Sequence, residues 1–417
     1  LLKNVTKNPK KYSNMEIVDI TSKLKMALLK HSELPEVGVI VPAYNESAII
    51  NDTIKSLLKV DYSKRKLSII IVSDGSTDNT VEMLKYKYRM RRMYIKQSTD
   101  LIKHNKAKAV YKSRAYKNLI LIDKPNGGKA DALNLGLEYL PLNVKYMSVI
   151  DANSVVDKYS FRILATQAEQ DDKVVALAGT ILPKDEKCDN IKSMLLNNIQ
   201  LFDYLSSFHG ERGALSLLNA VLIIPGAFGF FNKWTLLELK GYPQDVLAED
   251  GVLTIKLHGK RNARIKFIPE ALSYTQVPST FKDLRKQRIR WFKGLTELLS
   301  LFKNTWKNNK KLSLVFLDYF FIEWLTPVMI PVGIFVLISN PMMITYPIFY
   351  VFMLLAIATP IIQGILCLMM ESSYRKVKLR KLVYLPLAVF ISPLMVLWRN
   401  DALLDLRNRN WGFIKRY

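Results

Sequence analysis

Four short runs constrain this chain most: VGVIVPAY (37–44), LSIIIVSD (67–74), NLILID (118–123) and YMSVID (146–151). Each is continuously apolar rather than alternating, and each stops at a polar, loop-forming cluster. A strand buried on both faces reads that way, whereas a strand with one wet face alternates. Between them, SAIINDTIKSLLK and GKADALNLGLEYL carry apolar residues at helical spacing. A strand–helix–strand alternation implies an α/β sheet whose strand C-termini form a ligand crevice.

The rest of the chain differs in kind. Residues 1–35 are polar and Lys-rich, and Lys23–Lys30 reads as a short amphipathic helix. Residues 85–117 hold 12 Lys/Arg against a single acid, Asp100, which suits either a solvated face or a surface lying on anionic lipid headgroups. Two long apolar stretches, 314–338 and 346–370, are each sufficient to span ~30 Å of hydrocarbon. Asp318 and Glu323 in the first are costly in lipid and are expected to face protein or a polar path. Lys303, Lys307, Lys310 and Lys311 before these stretches and YRKVKLRK (374–381) after them place both flanks, and the large domain, in the cytosol. A third apolar stretch, 382–398, contains Pro386 and Pro393 and is expected to be interfacial or re-entrant.

The formal charge of +25 asks for an anionic partner: nucleic acid, lipid or a sugar nucleotide. No nucleic-acid motif appears, so nucleic acid is not expected. Cys188 and Cys367 lie far apart in different kinds of segment, which excludes a disulfide framework and fits a reducing setting. The chain begins at Leu1, so a preceding piece is expected, and the N-terminal residues do not read as a signal peptide.

Several clusters carry chemistry. VPAYNES (41–47) sets Tyr44, Asn45 and Glu46 just past the first strand, and VSDGSTDNT (72–80) sets Asp74 past the second. Acids at strand ends also serve as helix caps. Together, however, they offer what a nucleoside needs: an aromatic face and carboxylate acceptors. PNGGKADALN (125–134) adds a glycine turn, Lys129 and a helix N-terminus, a combination suited to an anion. It lacks the GxxxxGK[ST] spacing, and no GxGxxG follows the first strand, so neither a P-loop nor a dinucleotide fold is supported. SVIDANSVVD (148–157) delivers Asp151 at a strand end with Asn153 two residues on, a metal turn with one carboxylate replaced by an amide.

These segments, in this order, resemble the GT-A domain of membrane-embedded family 2 glycosyltransferases, which include processive synthases of cellulose, chitin, hyaluronan and poly-N-acetylglucosamine. DANS (151–154) sits where that family has its DxD, PGAFGFF (225–231) where it has its acceptor-side glycine loop, and LAEDG (247–251) where it has its Glu-Asp segment. QRIRW (287–291) matches its Q-x-x-R-W, and NWGFIKR (410–416) resembles its Trp-Gly and basic tail elements. The resemblance is strong over residues 36–300 and loose beyond.

It implies an α/β GT-A (Rossmann-like) domain over 36–300 ending in the QxxRW interface helix, transmembrane and interfacial helices over 301–398, and a basic tail over 399–417. It also implies an inverting transfer of a hexose or N-acetylhexosamine from a UDP-sugar to a growing β-linked polysaccharide at the cytosolic face of the plasma membrane, coupled to secretion. Asp250 is then the catalytic base. Tyr44, Glu46, Asp74, Lys129, Asp151, Arg288 and Arg290 hold the donor. Glu249, Gln287, Trp291, Gly226 and Phe228 hold the acceptor, and Asp151 with Asn153 holds Mg2+ or Mn2+. Two spans are few for a polymer channel, so further N-terminal spans, a homodimer or an export subunit are expected to complete it. Two alternatives stand beside this reading: a non-processive enzyme acting on a membrane lipid, and a catalytically silent homologue acting as a scaffold, the latter supported only by Asn153.

Overall fold

The computed structural model describes residues 28–94, 101–184, 190–305, 310–320, 325–375 and 379–404. They form two compact units that interleave in sequence. The first comprises residues 28–184 and 221–276; the second comprises residues 190–220 and 277–404. The 36–300 domain expected from sequence is therefore divided: residues 190–220 and the QxxRW segment belong with the apolar helices.

The first unit is built on ten strands: β1 (Val37–Ala43), β2 (Leu67–Asp74), β3 (Met90–Met93), β4 (Ala109–Ser113), β5 (Leu119–Lys124), β6 (Tyr146–Ile150), β7 (Ser154–Val156), β8 (Val174–Pro183), β9 (Phe228–Asn232) and β10 (Arg264–Thr275). They make one sheet in the order β3-β4-β5-β2-β1-β6-β9-β8-β10-β7. Strands β5, β2, β1 and β6 run parallel, and β9 enters antiparallel between β6 and β8. The four apolar runs are these parallel strands. Val39, Ile40, Ile69, Ile70, Ile71, Leu121, Met147 and Val149 are fully buried, as strands covered on both faces require.

Helices α1 (Ile50–Lys59), α2 (Thr80–Lys87), α3 (Lys129–Tyr139) and α4 (Ser160–Glu169) follow strands in this unit. Helix α1 buries Ile50, Ile54 and Leu57 at helical spacing. Helix α3 is enclosed nearly all round and lies close on the sheet. A Cβ on its Gly136 would come within 2.5 Å of the Ile40 side chain, so the helix can approach β1 only because that position is glycine. The expected helix over Lys23–Lys30 lies largely outside the described residues. Its described end, 28–30, is extended, with Leu28 and Leu29 buried and the Leu29 N–H donating to Thr166 Oγ1 at 3.2 Å.

Arg264 and Lys266 at the start of β10 reach Asp171, in the turn before β8, at 2.9 and 2.8 Å. The Lys266 hydrogen bond, ahead of the Arg264 bond and against burial, lowers the Asp171 carboxyl from 3.8 to about 2. A depressed folded value contributes stability in full above 3.8 and loses it as pH falls through about 2. Asp171→Asn is therefore expected to cost about 1–2 kcal/mol at neutral pH. Thermal melts of the two proteins should converge below about pH 2; a deficit that persists there would contradict the ion-pair account.

The second unit is helical. Helices α5 (Ile191–Leu205) and α6 (Gly213–Leu217) flank a π-helical turn, Ser206–Arg212. In the first unit, α7 (Lys233–Glu238) and α8 (Glu249–His258) come next in the chain. The second unit resumes with α9 (Phe281–Thr305), α10 (Lys310–Phe320), α11 (Thr326–Ser339), α12 (Pro347–Arg375) and α13 (Leu385–Leu404). Among the described residues, one helix is long and apolar enough to cross a membrane, Pro347–Glu371 within α12. The described parts of the expected first span lie on α10 and α11, and residues 321–324 between them lie outside the described residues. Asp318 on α10 is exposed, whereas Glu323 lies outside the described residues. The third stretch is a 20-residue helix, α13, packed on α9, where Arg285 pairs with Asp401 at 2.7 Å. The Trp-Gly tail (410–416) also lies outside the described residues.

His209 in the π-helical turn and Glu371 near the end of α12 meet at 2.8 Å with both side chains fully buried. Gln363, two turns earlier on α12, donates to Ser206 Oγ at 2.6 Å. Two polar residues of an otherwise apolar helix thus find partners within the second unit.

Candidate active site

The C-terminal ends of the parallel strands gather most of the residues singled out from sequence. Beyond β1, Asn45 adopts a left-handed backbone (φ 56°), and its Oδ1 accepts from Thr77 N at 2.7 Å and Asp78 N at 3.2 Å. Asp78 in turn accepts from Ser47 N at 3.1 Å. The loops after β1 and β2 are thereby tied into one rim, with Tyr44 half-buried on it and Glu46 buried.

Asp74, at the end of β2, was expected to meet the donor. It is buried, and its carboxylate is already engaged: Gly127 N donates to Oδ1 at 2.9 Å, Gly128 N donates to Oδ2 at 2.8 Å, and Lys124 Nζ pairs with Oδ1. Lys124 is fully buried, and its ammonium also meets Asp131 Oδ1 at 2.6 Å and the Pro125 carbonyl at 2.6 Å. Through these contacts Asp74 shapes the 126–128 turn, and its carboxylate is engaged rather than open. Gly75 completes the fit: with φ 72°, a Cβ there would lie 2.6 Å from Asn126 N.

That turn starts α3 and presents Lys129. Its ammonium meets Asp151 Oδ1 at 2.7 Å and Glu249 Oε1 at 3.9 Å. Burial alone would lower the Lys129 pKa, but Asp151, then Glu249 and Asp250, outweigh it and hold the ammonium above its ordinary value. Glu249, expected to hold the acceptor, thus faces this cation instead.

Asp250 stands in the first turn of α8. Its Oδ2 accepts from Gly226 N at 3.0 Å and its Oδ1 from Gly251 N at 2.8 Å. A Cβ on Gly226 would lie 3.2 Å from Lys129 Nζ and 3.4 Å from Asp250 Oδ2, so the PGAF loop is seated directly on both charges. Phe228, two residues on, departs from expectation. It begins β9, is fully buried, and packs edge-on to Phe161 with ring centroids 6.4 Å apart; it is core, not acceptor contact.

Asn153 also departs. Its Nδ2 donates to the Gln276 carbonyl at 3.3 Å, and its Oδ1 accepts from Thr275 Oγ1 at 3.3 Å. The side chain is thereby tied to the end of β10 rather than offered beside Asp151. Among the described residues no group of three or more His, Cys, Asp or Glu is placed to cage a metal. Among the same residues Asp151 makes no hydrogen bond through its Oδ2, which leaves one oxygen for an added cation.

Sequence reading missed Tyr242. It is buried, its backbone N donates to Asn134 Oδ1 at 2.7 Å, and its hydroxyl has no partner among the described residues. Burial first, then the charges of Glu249 and Asp250, push its pKa well above the ordinary tyrosine value, so it stays a donor. The signal available was the pair of polar residues in KADALN, Asp131 and Asn134, at positions that a buried helix would otherwise fill with apolar groups.

The QxxRW residues lie on α9 of the second unit. Arg288, expected at the donor, is committed to Asp203 on α5, and its guanidinium carbon lies 4.3 Å from the centre of the Trp291 ring. Trp291 is 42% exposed, so its outer face is open to a ligand. Gln287 keeps a buried Oε1 without a partner among the described residues, and Arg290 is half-buried on the same helix.

An α/β sheet with a cation–carboxylate cluster at its strand C-termini, entered by an antiparallel β9, has the architecture of the GT-A fold. A mannosyltransferase from Pyrobaculum calidifontis, solved in complex with GDP-Man and Mn2+, shares this fold at 18% identity with a TM-score of 0.56, covering 94% of each chain. Glycosyl transferase family 2 matches residues 38–234, and glycosyl transferase family group 2 matches residues 146–399. The chain belongs to the family 2 glycosyltransferases. Among curated relatives it is 28% identical over 374 residues to the poly-beta-1,6-N-acetyl-D-glucosamine synthase of Staphylococcus epidermidis, covering 87% of this chain and 82% of that one. It is 31% identical over 268 residues to the synthase of the same name from Staphylococcus aureus strain COL, spanning 64% of this chain and 56% of that one.

Proposed function

We propose that this chain polymerises N-acetylglucosamine from UDP-N-acetylglucosamine into a β-linked polysaccharide at a membrane, by single inverting displacements. The observation that carries the reading is the convergence of Lys129, Asp151, Glu249 and Asp250 around Gly226, in a chain similar to poly-N-acetylglucosamine synthases over most of its length. In this mechanism Tyr44 and Glu46 line the nucleoside side, and Lys129 meets the charge that develops on the diphosphate. Asp250, held by two backbone N–H groups, takes the proton of the acceptor hydroxyl as that oxygen attacks the anomeric carbon and the UDP oxygen departs. The QxxRW residues, carried on α9 of the second unit, keep the roles that the family resemblance gives them: Arg290 toward the donor diphosphate, and Gln287 and Trp291 toward the acceptor, Trp291 through its aromatic face.

A divalent cation, Mg2+ or Mn2+, fits this site in part: Asp151 Oδ2 and the donor diphosphate would hold it, and it would supply further charge compensation to the leaving phosphates. Asn153→Asp bears on this. The change removes the donor to the Gln276 carbonyl, at a cost of about 1 kcal/mol, and frees a carboxylate to turn toward Asp151. Calorimetry with UDP and Mn2+ is expected to register tighter binding; unchanged affinity would leave residue 153 a purely structural tie.

The membrane setting is supported by α12 and by apolar side chains exposed along α11 and α12, among them Phe335, Ile338 and Leu354. The test of the whole reading is to incubate the purified full chain with a panel of labelled UDP-sugars and no added lipid acceptor. Long polymer from UDP-N-acetylglucosamine is expected. A single sugar attached to lipid would sink processivity, and UDP binding without turnover would favour a silent homologue.

A further inference from the structure

Within the basic stretch 85–117, the exposed cations of strands β3 and β4 and their flanks take no part in the site above. The core of that stretch is the β3–β4 hairpin at one end of the sheet, where the antiparallel register sets Arg91 directly opposite Lys112. The Arg114 N–H donates to the Arg89 carbonyl at 3.1 Å, which brings a second pair of cationic residues together. All four residues are exposed. Like charges facing each other across strands oppose pairing. Among the described residues no carboxylate pairs with any of the four, and the nearby Glu82 is taken by Lys85 at 2.8 Å.

Protection of a sheet edge explains part of this. Charged residues on an edge strand discourage pairing with another chain, and β3 is the edge. It does not explain Lys112, because β4 is an inner strand paired on both sides, nor Arg114 and Lys117 beyond it. Two tyrosines accompany the cations, Tyr86 and Tyr94, which are 90% and 91% exposed. Cations interleaved with exposed amphipathic rings are the composition of a lipid headgroup contact.

We infer that the β3–β4 face, through Arg89, Arg91, Lys112 and Arg114 with Tyr86 and Tyr94, binds the phosphates of anionic lipid headgroups. Phosphate oxygens lying across the two cationic pairs would relieve the repulsion built into the hairpin. Lipid is favoured over a soluble polyanion because the same chain carries α12, which keeps a bilayer tethered to it; to that extent the inference rests on the membrane reading. A lipid contact of this kind would make activity depend on headgroup charge without any lipid entering the transfer reaction.

The experiment is hydrogen exchange on the full chain in nanodiscs of phosphatidylcholine alone and of phosphatidylcholine with phosphatidylglycerol. Exchange over residues 89–94 and 109–114 is expected to slow several-fold with phosphatidylglycerol, and high salt should abolish the difference. The double variant Arg91→Gln/Lys112→Gln should lose that dependence while releasing UDP at the wild-type rate in neutral discs. Equal exchange of the wild type in both discs overturns the inference alone. So does protection by added RNA in neutral discs with none from phosphatidylglycerol, which would make the surface a nucleic-acid site. A chain that inserts into neither disc overturns the membrane reading and this inference with it.

Discussion

Asp250→Asn is expected to reduce sugar transfer by about 10²–10⁴-fold, the range associated with loss of a positioned proton acceptor. The geometry makes this a clean substitution. The Asp250 carboxylate is fixed by Gly226 N at 3.0 Å and Gly251 N at 2.8 Å, and an amide oxygen can retain one of these bonds. The Asp250 carbonyl still accepts from Thr254 Oγ1 at 2.7 Å, so the start of α8 keeps its own anchoring. Lys129 retains Asp151 at 2.7 Å, and the anion-binding side of the site is left charged as before. UDP affinity, measured by titration, should therefore change by no more than about twofold, well below the effect on turnover. Near-normal turnover would remove Asp250 from the mechanism. A parallel loss of UDP binding would place it in the donor pocket, coupled through Lys129.

The parallel-strand core was legible in the sequence because its signal is local. Val37–Ala43, Leu67–Asp74 and Tyr146–Ile150 are apolar runs that end where the chain needs polar loops, and no distant partner is needed to read them. Asp151, Lys129 and Asp250 were legible for a related reason: each sits in a short motif whose spacing is fixed by a turn or a helix start. What could not be read was the direction in which a side chain turns once strands from afar lie beside it. Asn153 bonds to Gln276 and Thr275, more than a hundred residues away, and only the β7–β10 pairing decides that it faces them. Phe228 belongs to a motif but is one strand position too deep to leave the core. The division of the chain was equally hidden, because residues 190–220 have the same amphipathic texture as helices of the first unit but cluster with α9, α12 and α13.

Lys124 was overlooked because a lysine at the end of LILIDK reads as the first residue of a loop. Its ammonium is instead fully buried between Asp74 and Asp131, which are themselves only 4% and 5% exposed. Lys124→Met should fill a similar volume but leave two carboxylates in the interior without their cation. Breaking a buried pair in this way costs about 3–5 kcal/mol, since the penalty is the uncompensated charge rather than the lost attraction. The damage should also be directed. Asp74 takes the N–H groups of Gly127 and Gly128, and Asp131 accepts from Asn105 N at 2.9 Å, so both sides of the turn before Lys129 depend on this cation. A large fall in thermal midpoint is therefore expected together with weaker UDP binding, while the second unit keeps its helices by circular dichroism. Adding Asp131→Asn to Lys124→Met should restore part of the stability, because one of the two stranded charges is gone. If Lys124→Met alone is as stable as the parent, the Asp74–Lys124–Asp131 cluster is not what holds the 126–128 turn. The shape of that turn would then have to come from Gly75 and from the Asn126 side chain, which donates to the Asp74 carbonyl at 2.9 Å.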